Sequence, residues 1–353
     1  MTNRNEARDF EVGGAQPALG PEALGLVLSK INGWIDRHLD AGGSWKEGGD
    51  LSAYFAPILF CLQVGRRQDA RRMLAHVEKN LADPEEVLRQ AAYRDGMVSY
   101  VPSWVLFGAY DAECYDLAAR LAGFVESFQA PGGGFFGSRD ERDARAGQID
   151  FDATTMSVIG LGRSGRADSA GRGAEFLLKL LAAQPDPERV ILTEWQEGKG
   201  LVPVESVRNP VSVVDHGQTS QKYFKVGLIV TALAHAYGAT GERRFLDAAI
   251  ATYDQSVSRA SQLWDNTAAH KMCWASTTLF AVTGEPRFAQ HSWRYASHLV
   301  TNQNDDGTFH YPEIWPEFPP QRWEMIPNMM CQFGLWLART AQTPNPASAA
   351  LLS

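Results

Sequence analysis

The chain has 353 residues and a formal charge of -8, with 33 Lys and Arg against 41 Asp and Glu. Basic residues form no run, which argues against nucleic acid or an anionic membrane surface as a partner. Charged residues at 21% and hydrophobic ones at 44% are ordinary for a globular enzyme, and a chain of this length buries a large core.

Residues 1 to 20, MTNRNEARDFEVGGAQPALG, read as a flexible arm. They hold no apolar stretch of signal-peptide length, so a cytoplasmic protein is expected. No run reaches the roughly 18 apolar residues of a membrane span. Cys61, Cys114, Cys273 and Cys331 stand far apart in mostly apolar text and read as reduced thiols, with no zinc spacing.

From Pro21 to about Leu39 the pattern predicts a striped helix, with Leu24, Val27, Leu28, Ile31, Trp34 and Ile35 on one face. The loop AGGSWKEGGD leads to an apolar helix, Leu51 to Val64. The pair then recurs. Striped helices are expected at Gln68–Leu81, Tyr115–Phe128, Gly171–Leu181, Arg243–Val257 and Pro286–Val300. Apolar ones are expected at Val101–Tyr110, Asp152–Leu161, Lys222–Tyr237, Thr267–Val282 and Pro327–Ala341. The apolar helices start about every 50 residues, the mark of a repeated unit.

A helix apolar all round is buried on all sides, and a striped one covers it from outside. Six of each make a closed toroid over 21 to 341, followed by a disordered tail from 342 to 353. Turns after the apolar helices are short and alike: VGRRQDA, SGRADSA, TGERRFL, TGEPRFA. Connections before them are long and irregular, as functional loops are. All of these open on the rim where the inner helices present their N-termini, and the site is expected there.

This all-α architecture, an (α/α)6 toroid, resembles the six-hairpin enzymes. These comprise the terpenoid cyclase and protein prenyltransferase families and several carbohydrate-active lyases and hydrolases. Within it, Asp150-Phe-Asp-Ala-Thr-Thr-Met156 resembles the Asp-x-Asp-Asp-Thr-Ala motif of class II terpene cyclases. Asp150, Asp152 and Thr154 match; Ala153 replaces the third acid. The resemblance implies that Asp152 protonates an alkene or epoxide. Two neighbouring carboxylates split their pKa values and leave one protonated near neutrality. Either acid also suits a helix cap. Three loop fragments, Gly42–Trp45, Gln129–Phe135 and Gln303–Phe309, resemble the Gln…Gly-x-Trp/Phe repeats of squalene-type cyclases and prenyltransferases.

Other candidates are His216, beside Asp215, and Tyr223, the local base and proton donor if the protein is a polysaccharide lyase. His270 and Cys273 share a helix face at metal-ligand spacing, but a buried thiol beside a core histidine fits better, so no metal is expected. Tyr54, Trp104, Tyr223, His270, Trp274, Tyr311, Trp315 and Trp323 are the candidate substrate wall, with HYPEIWPEFPPQRW as a lid or pocket wall. Aromatic faces suit carbocations and sugars alike.

The leading expectation is an intracellular cyclase or isomerase acting on an isoprenoid-like small molecule, with Asp152 as acid. No cofactor is expected, unless a diphosphate substrate brings Mg2+. The alternatives are a carbohydrate-active lyase or hydrolase and a non-catalytic binding toroid.

Overall fold

The computed structural model describes residues 19–81, 98–207, 209–218, 221–260, 262–311 and 323–346. Most of the expected arm and tail therefore lies outside the described residues.

In chain order the first helices are α1 (Pro21–His38), α2 (Phe55–Gln63), α3 (Arg67–Leu81), α4 (Tyr100–Asp111), α5 (Tyr115–Glu126) and α6 (Arg139–Ala144). There follow α7 (Phe151–Arg163), α8 (Ala167–Ala182), α9 (Phe224–Thr240), α10 (Arg243–Arg259), α11 (His270–Thr283), α12 (Pro286–Thr301) and α13 (Met325–Thr340). The apolar helices α2, α4, α7, α9, α11 and α13 pack in that order, and α13 packs back on α2. The chain is an (α/α)6 toroid.

The two helix types follow from burial. In α9 every residue from Phe224 to Ala234 is buried, so no face is left for water. In α12 only Phe288, Ala289, Ser292, Trp293, Tyr295, Ala296 and Leu299 are buried, a stripe at helical spacing. Each large apolar side chain so buried contributes about 1.5–3 kcal/mol.

Turns after inner helices use the left-handed backbone that ends helices cheaply. Gly65, Gly165, Gly241 and Gly284 have φ of 83, 82, 75 and 72°, and Glu113 takes the same place after α4 with φ 64°.

The three aromatic loop fragments are one structure used three times. Bridges join Leu39 to Trp45, Gln129 to Phe135 and Gln303 to Phe309. Each loop has a glycine with positive φ: Gly43, Gly133 and Gly307, at 85, 96 and 100°. Each lies so close to the backbone of an outer helix (α3, α8 and α1 respectively) that a Cβ would overlap it. Where Gln is present, its amide ties the turn to that helix. Gln129 Nε2 donates to Gly133 O at 3.0 Å and to Ser169 O at 2.9 Å, and Gln303 Nε2 to Val27 O at 3.1 Å.

The structure adds elements that the pattern did not announce. The expected loop 184–221 contains short strands. β1 (Gln148–Ile149) pairs with β3 (Trp195–Gln196), which pairs with β4 (Gly200–Leu201). β2 (Val190–Leu192) pairs with β5 (Val213–Asp215). Two inner helices begin later than expected, because a capped 3₁₀ turn precedes each. Asp50 accepts from Ser52 N before α2, and Asn266 accepts from Ala268 N before α11.

Gly227 sets the spacing of α9 and α11, for a Cβ there would overlap the backbone carbonyl of Lys271. Gly227→Ala should destabilise by about 1–3 kcal/mol, as overpacking does. Chemical denaturation should show a lower midpoint with an unchanged slope; an unchanged midpoint would mean that the two helices part freely.

Candidate active site

The site is built at the N-terminal ends of the inner helices. Asp150 is the N-cap of α7: its Oδ1 accepts from Ala153 N at 2.7 Å. Thr154, one turn on, fixes the approach. Its Oγ1 donates to Asp150 O at 2.7 Å and accepts from Phe135 N at 2.9 Å. Asp150 N in turn donates to Phe135 O at 2.9 Å. The aspartate is thus locked to the glycine-rich loop, and a Cβ at Gly137 would press on its Oδ2 at 3.0 Å.

Asp152 reaches to the neighbouring inner helix. Lys225 Nζ, from α9, donates to its two carboxylate oxygens at 3.1 and 3.2 Å. Lys225 is 5% exposed, and its ammonium sits 5.0 Å from the Phe151 ring centre and 5.6 Å from that of Phe224.

Lys271, from the first turn of α11, is equally buried. Its Nζ donates to Tyr100 Oη at 3.1 Å and lies 5.2–5.7 Å from the ring centres of Phe224, Tyr100 and Trp104. Aromatic faces offset part of the cost of burying a cation.

These neighbours shift the titrations. Burial and the Asp152 charge push the Asp150 carboxyl up to about 7. Burial and the Lys225 charge pull the Lys271 ammonium down to about 8, with Asp152 opposing them. Burial pushes the Tyr100 phenol up. Asp150 is therefore the carboxyl that holds its proton toward neutrality. Asp152 is the one with the lysine.

The other sequence candidates fall into three places. His216 and Tyr223 stack on each other at 6.2 Å, and His216 Nε2 lies 3.2 Å from Ser256 Oγ on α10. No hydrogen bond joins either to the aspartates among the described residues. Asp215 does not orient His216; it accepts from Gly217 N at 2.9 Å and faces Arg189 at 3.4 Å.

His270 packs between Phe224 and Phe333, with Nδ1 3.1 Å from Thr267 O. Cys273 turns instead to Thr340 Oγ1 at 3.3 Å. Trp274 stacks on Trp336 at 4.6 Å and lies 5.3 Å from Trp104, an aromatic layer inside the ring.

Two candidates prove to be loop supports. Tyr54 Oη accepts from Trp45 N at 3.3 Å. Trp323 Nε1 donates to Gly48 O at 2.9 Å while its ring stacks on Trp34. Tyr311 meets Phe333 edge-on. Trp315 lies outside the described residues.

No known family and no curated protein matches the chain by sequence. Solved structures do match its fold. An inactive double-aspartate variant of an α-1,6-mannanase from Salegentibacter sp., in complex with an α-1,6-mannose tetrasaccharide, shares 12% identity at a TM-score of 0.65, over 90% of this chain and 98% of that one. A D-mannose isomerase shares 9% at 0.64, over 91% and 99%. A family-105 glycoside hydrolase of C. acetobutylicum shares 10% at 0.59, over 90% and 99%. These are carbohydrate enzymes. The fold is theirs at identities that carry nothing finer.

The terpenoid-cyclase expectation is corrected on this finding, and the ring centre supplies the physical reason. Lys225 and Lys271 place two ammonium groups among the aromatic faces, where they would repel a carbocation. The lysines were missed in the sequence, although a Lys within the apolar runs FKVGLIV and HKMCWAS was the signal.

The raised Asp150 pKa has a consequence for stability. The folded chain holds this proton up to about pH 7, the unfolded one only to the ordinary carboxyl value of 3.8. The folded state thus binds more protons between these values, and stability falls as pH rises through that window. Asp150→Asn keeps a good cap and removes the titration. Its melting temperature, relative to wild type, should rise from pH 4 to pH 8; a constant difference would refute the shift.

Proposed function

We propose that the protein is a carbohydrate-active enzyme that hydrolyses a glycosidic bond at the N-terminal mouth of its ring. The observation that carries the reading is the pair of carboxyls at the head of α7. One is raised toward neutrality by burial; the other is salt-bridged to a buried lysine. Glycoside hydrolysis needs such a pair, an acid for the leaving oxygen and a carboxylate for the other face of the sugar.

In this reading Asp150 gives its proton to the glycosidic oxygen as the bond breaks. Asp152 takes the proton of the attacking water, and Lys225 holds it in place. Among the described residues Lys271 has no carboxylate within ion-pair distance, so it favours a saccharide that carries a negative group. The solved carbohydrate enzymes of this fold support the substrate class, among them the mannanase whose double-aspartate variant is inactive.

A second reading rests on Lys271 and Tyr100. An amine pulled down to about 8 beside a phenol suits proton abstraction next to a carboxylate, the step of a lyase.

Sugar release should be followed over a panel of neutral and acidic oligosaccharides. Asp150→Asn and Asp152→Asn should each lower kcat by about 100-fold or more. In the wild type, kcat should fall above about pH 7 as Asp150 loses its proton. Wild-type turnover by Asp150→Asn would end the hydrolase reading. An unsaturated, ultraviolet-absorbing product that vanishes in Lys271→Met would establish the lyase instead.

A further inference from the structure

The inner helices end at the face opposite the aspartates, at Gln63, Asp111, Arg163, Thr240, Thr283 and Thr340. A hollow of about 540 Å³ opens there among α7, α9, α11 and α13. Its size falls within the range of small-molecule sites. Its lining includes Arg163 and Arg339 and no Asp or Glu.

Arg163 is already satisfied, for its Nε donates to Asp111 at 2.7 Å. Arg339 is not. Among the described residues its guanidinium has neither a hydrogen bond nor an ion pair, and its Nε is buried. It rests instead over Trp274 and Trp336, at 5.7 and 5.9 Å from their ring centres. Thr278, on the same wall, has a buried Oγ1 without a hydrogen-bond partner among the described residues. His235, also in the lining, is held neutral: burial and the two arginines pull it down to about 3. It therefore keeps one N–H to donate and one nitrogen to accept.

Arg339 is half-buried, with Nε its enclosed nitrogen, and a planar guanidinium matches a two-oxygen anion. We propose that this hollow is a second binding site, for a small organic molecule whose carboxylate or phosphate pairs with Arg339. The aromatic layer beneath fixes the plane of the guanidinium, and Thr278 and His235 add hydrogen bonds beside it. The site lies at the far end of the ring from the sugar-binding mouth and does not depend on that assignment.

The competing role for Arg339 is to balance the partial negative charge of the helix C-termini. The two roles predict opposite signs. An unpaired charge awaiting a ligand is no asset to the free protein, so its removal leaves stability unchanged or higher. A charge that balances helix ends is missed at once.

The test is titration calorimetry of the whole protein with inorganic phosphate and with citrate, at ionic strength fixed by sodium chloride. Wild type should bind one equivalent saturably, and the preferred anion tells phosphate from carboxylate. Arg339→Lys should bind at least tenfold more weakly and Arg339→Met not at all. In chloride alone Arg339→Met should melt no lower than wild type.

The proposal is overturned if wild type shows no saturable heat with either anion. It is equally overturned by undiminished affinity in Arg339→Met, or by an anion-independent loss of stability in that variant. Should Arg339→Met not fold, Arg339→Lys and Thr278→Val decide, and wild-type affinity in both rejects the site.

Discussion

The closing of α13 onto α2 is the constraint on which the rest depends. A helix apolar on every face is stable only when it is covered on every face. Six such helices satisfy one another in a ring, and six striped helices cover the outside. Once the ring is closed, inner helices share one direction, and every long connection is delivered to one face. The aspartates at the head of α7 and the lysines of α9 and α11 meet because their helices start on that face.

The ring then makes its centre electrostatically costly. A group buried among Trp104, Phe151 and Phe224 has little water to solvate it, so charges there must find partners or change their protonation. The molecule does both. Asp152 and Lys225 pair directly, Asp150 is driven toward its neutral form, and Lys271 leans on a phenol and three aromatic faces. Buried ion pairs of this kind contribute little to core stability.

Much of the fold was legible because its signals are local and repeated. Uniform apolar text separated inner helices from the striped outer ones, and Gly65, Gly165, Gly241 and Gly284 marked the short turns. The strands at 190–192 and 213–215 were not legible, since runs of three residues carry no periodicity. Asp150 and Asp152 stood out because carboxylates at the head of an apolar helix are conspicuous. That Asp150 keeps its proton follows from its burial, and that Asp152 meets Lys225, 73 positions away, from the folded ring; spacing says nothing of either. The aromatic residues show the same limit. Tyr54 and Trp323 hold loops while Trp104 faces Lys271, and a sequence does not tell which way a ring points.

The account stands or falls on where a saccharide sits. The direct measurement is a crystal structure of Asp150→Asn grown with an oligosaccharide that the wild-type protein turns over. The account predicts a sugar at the N-terminal mouth, with its glycosidic oxygen within hydrogen-bond reach of residue 150 and any acidic group on Lys271. A sugar bound away from the head of α7, or at the opposite face beside Arg339, would contradict it.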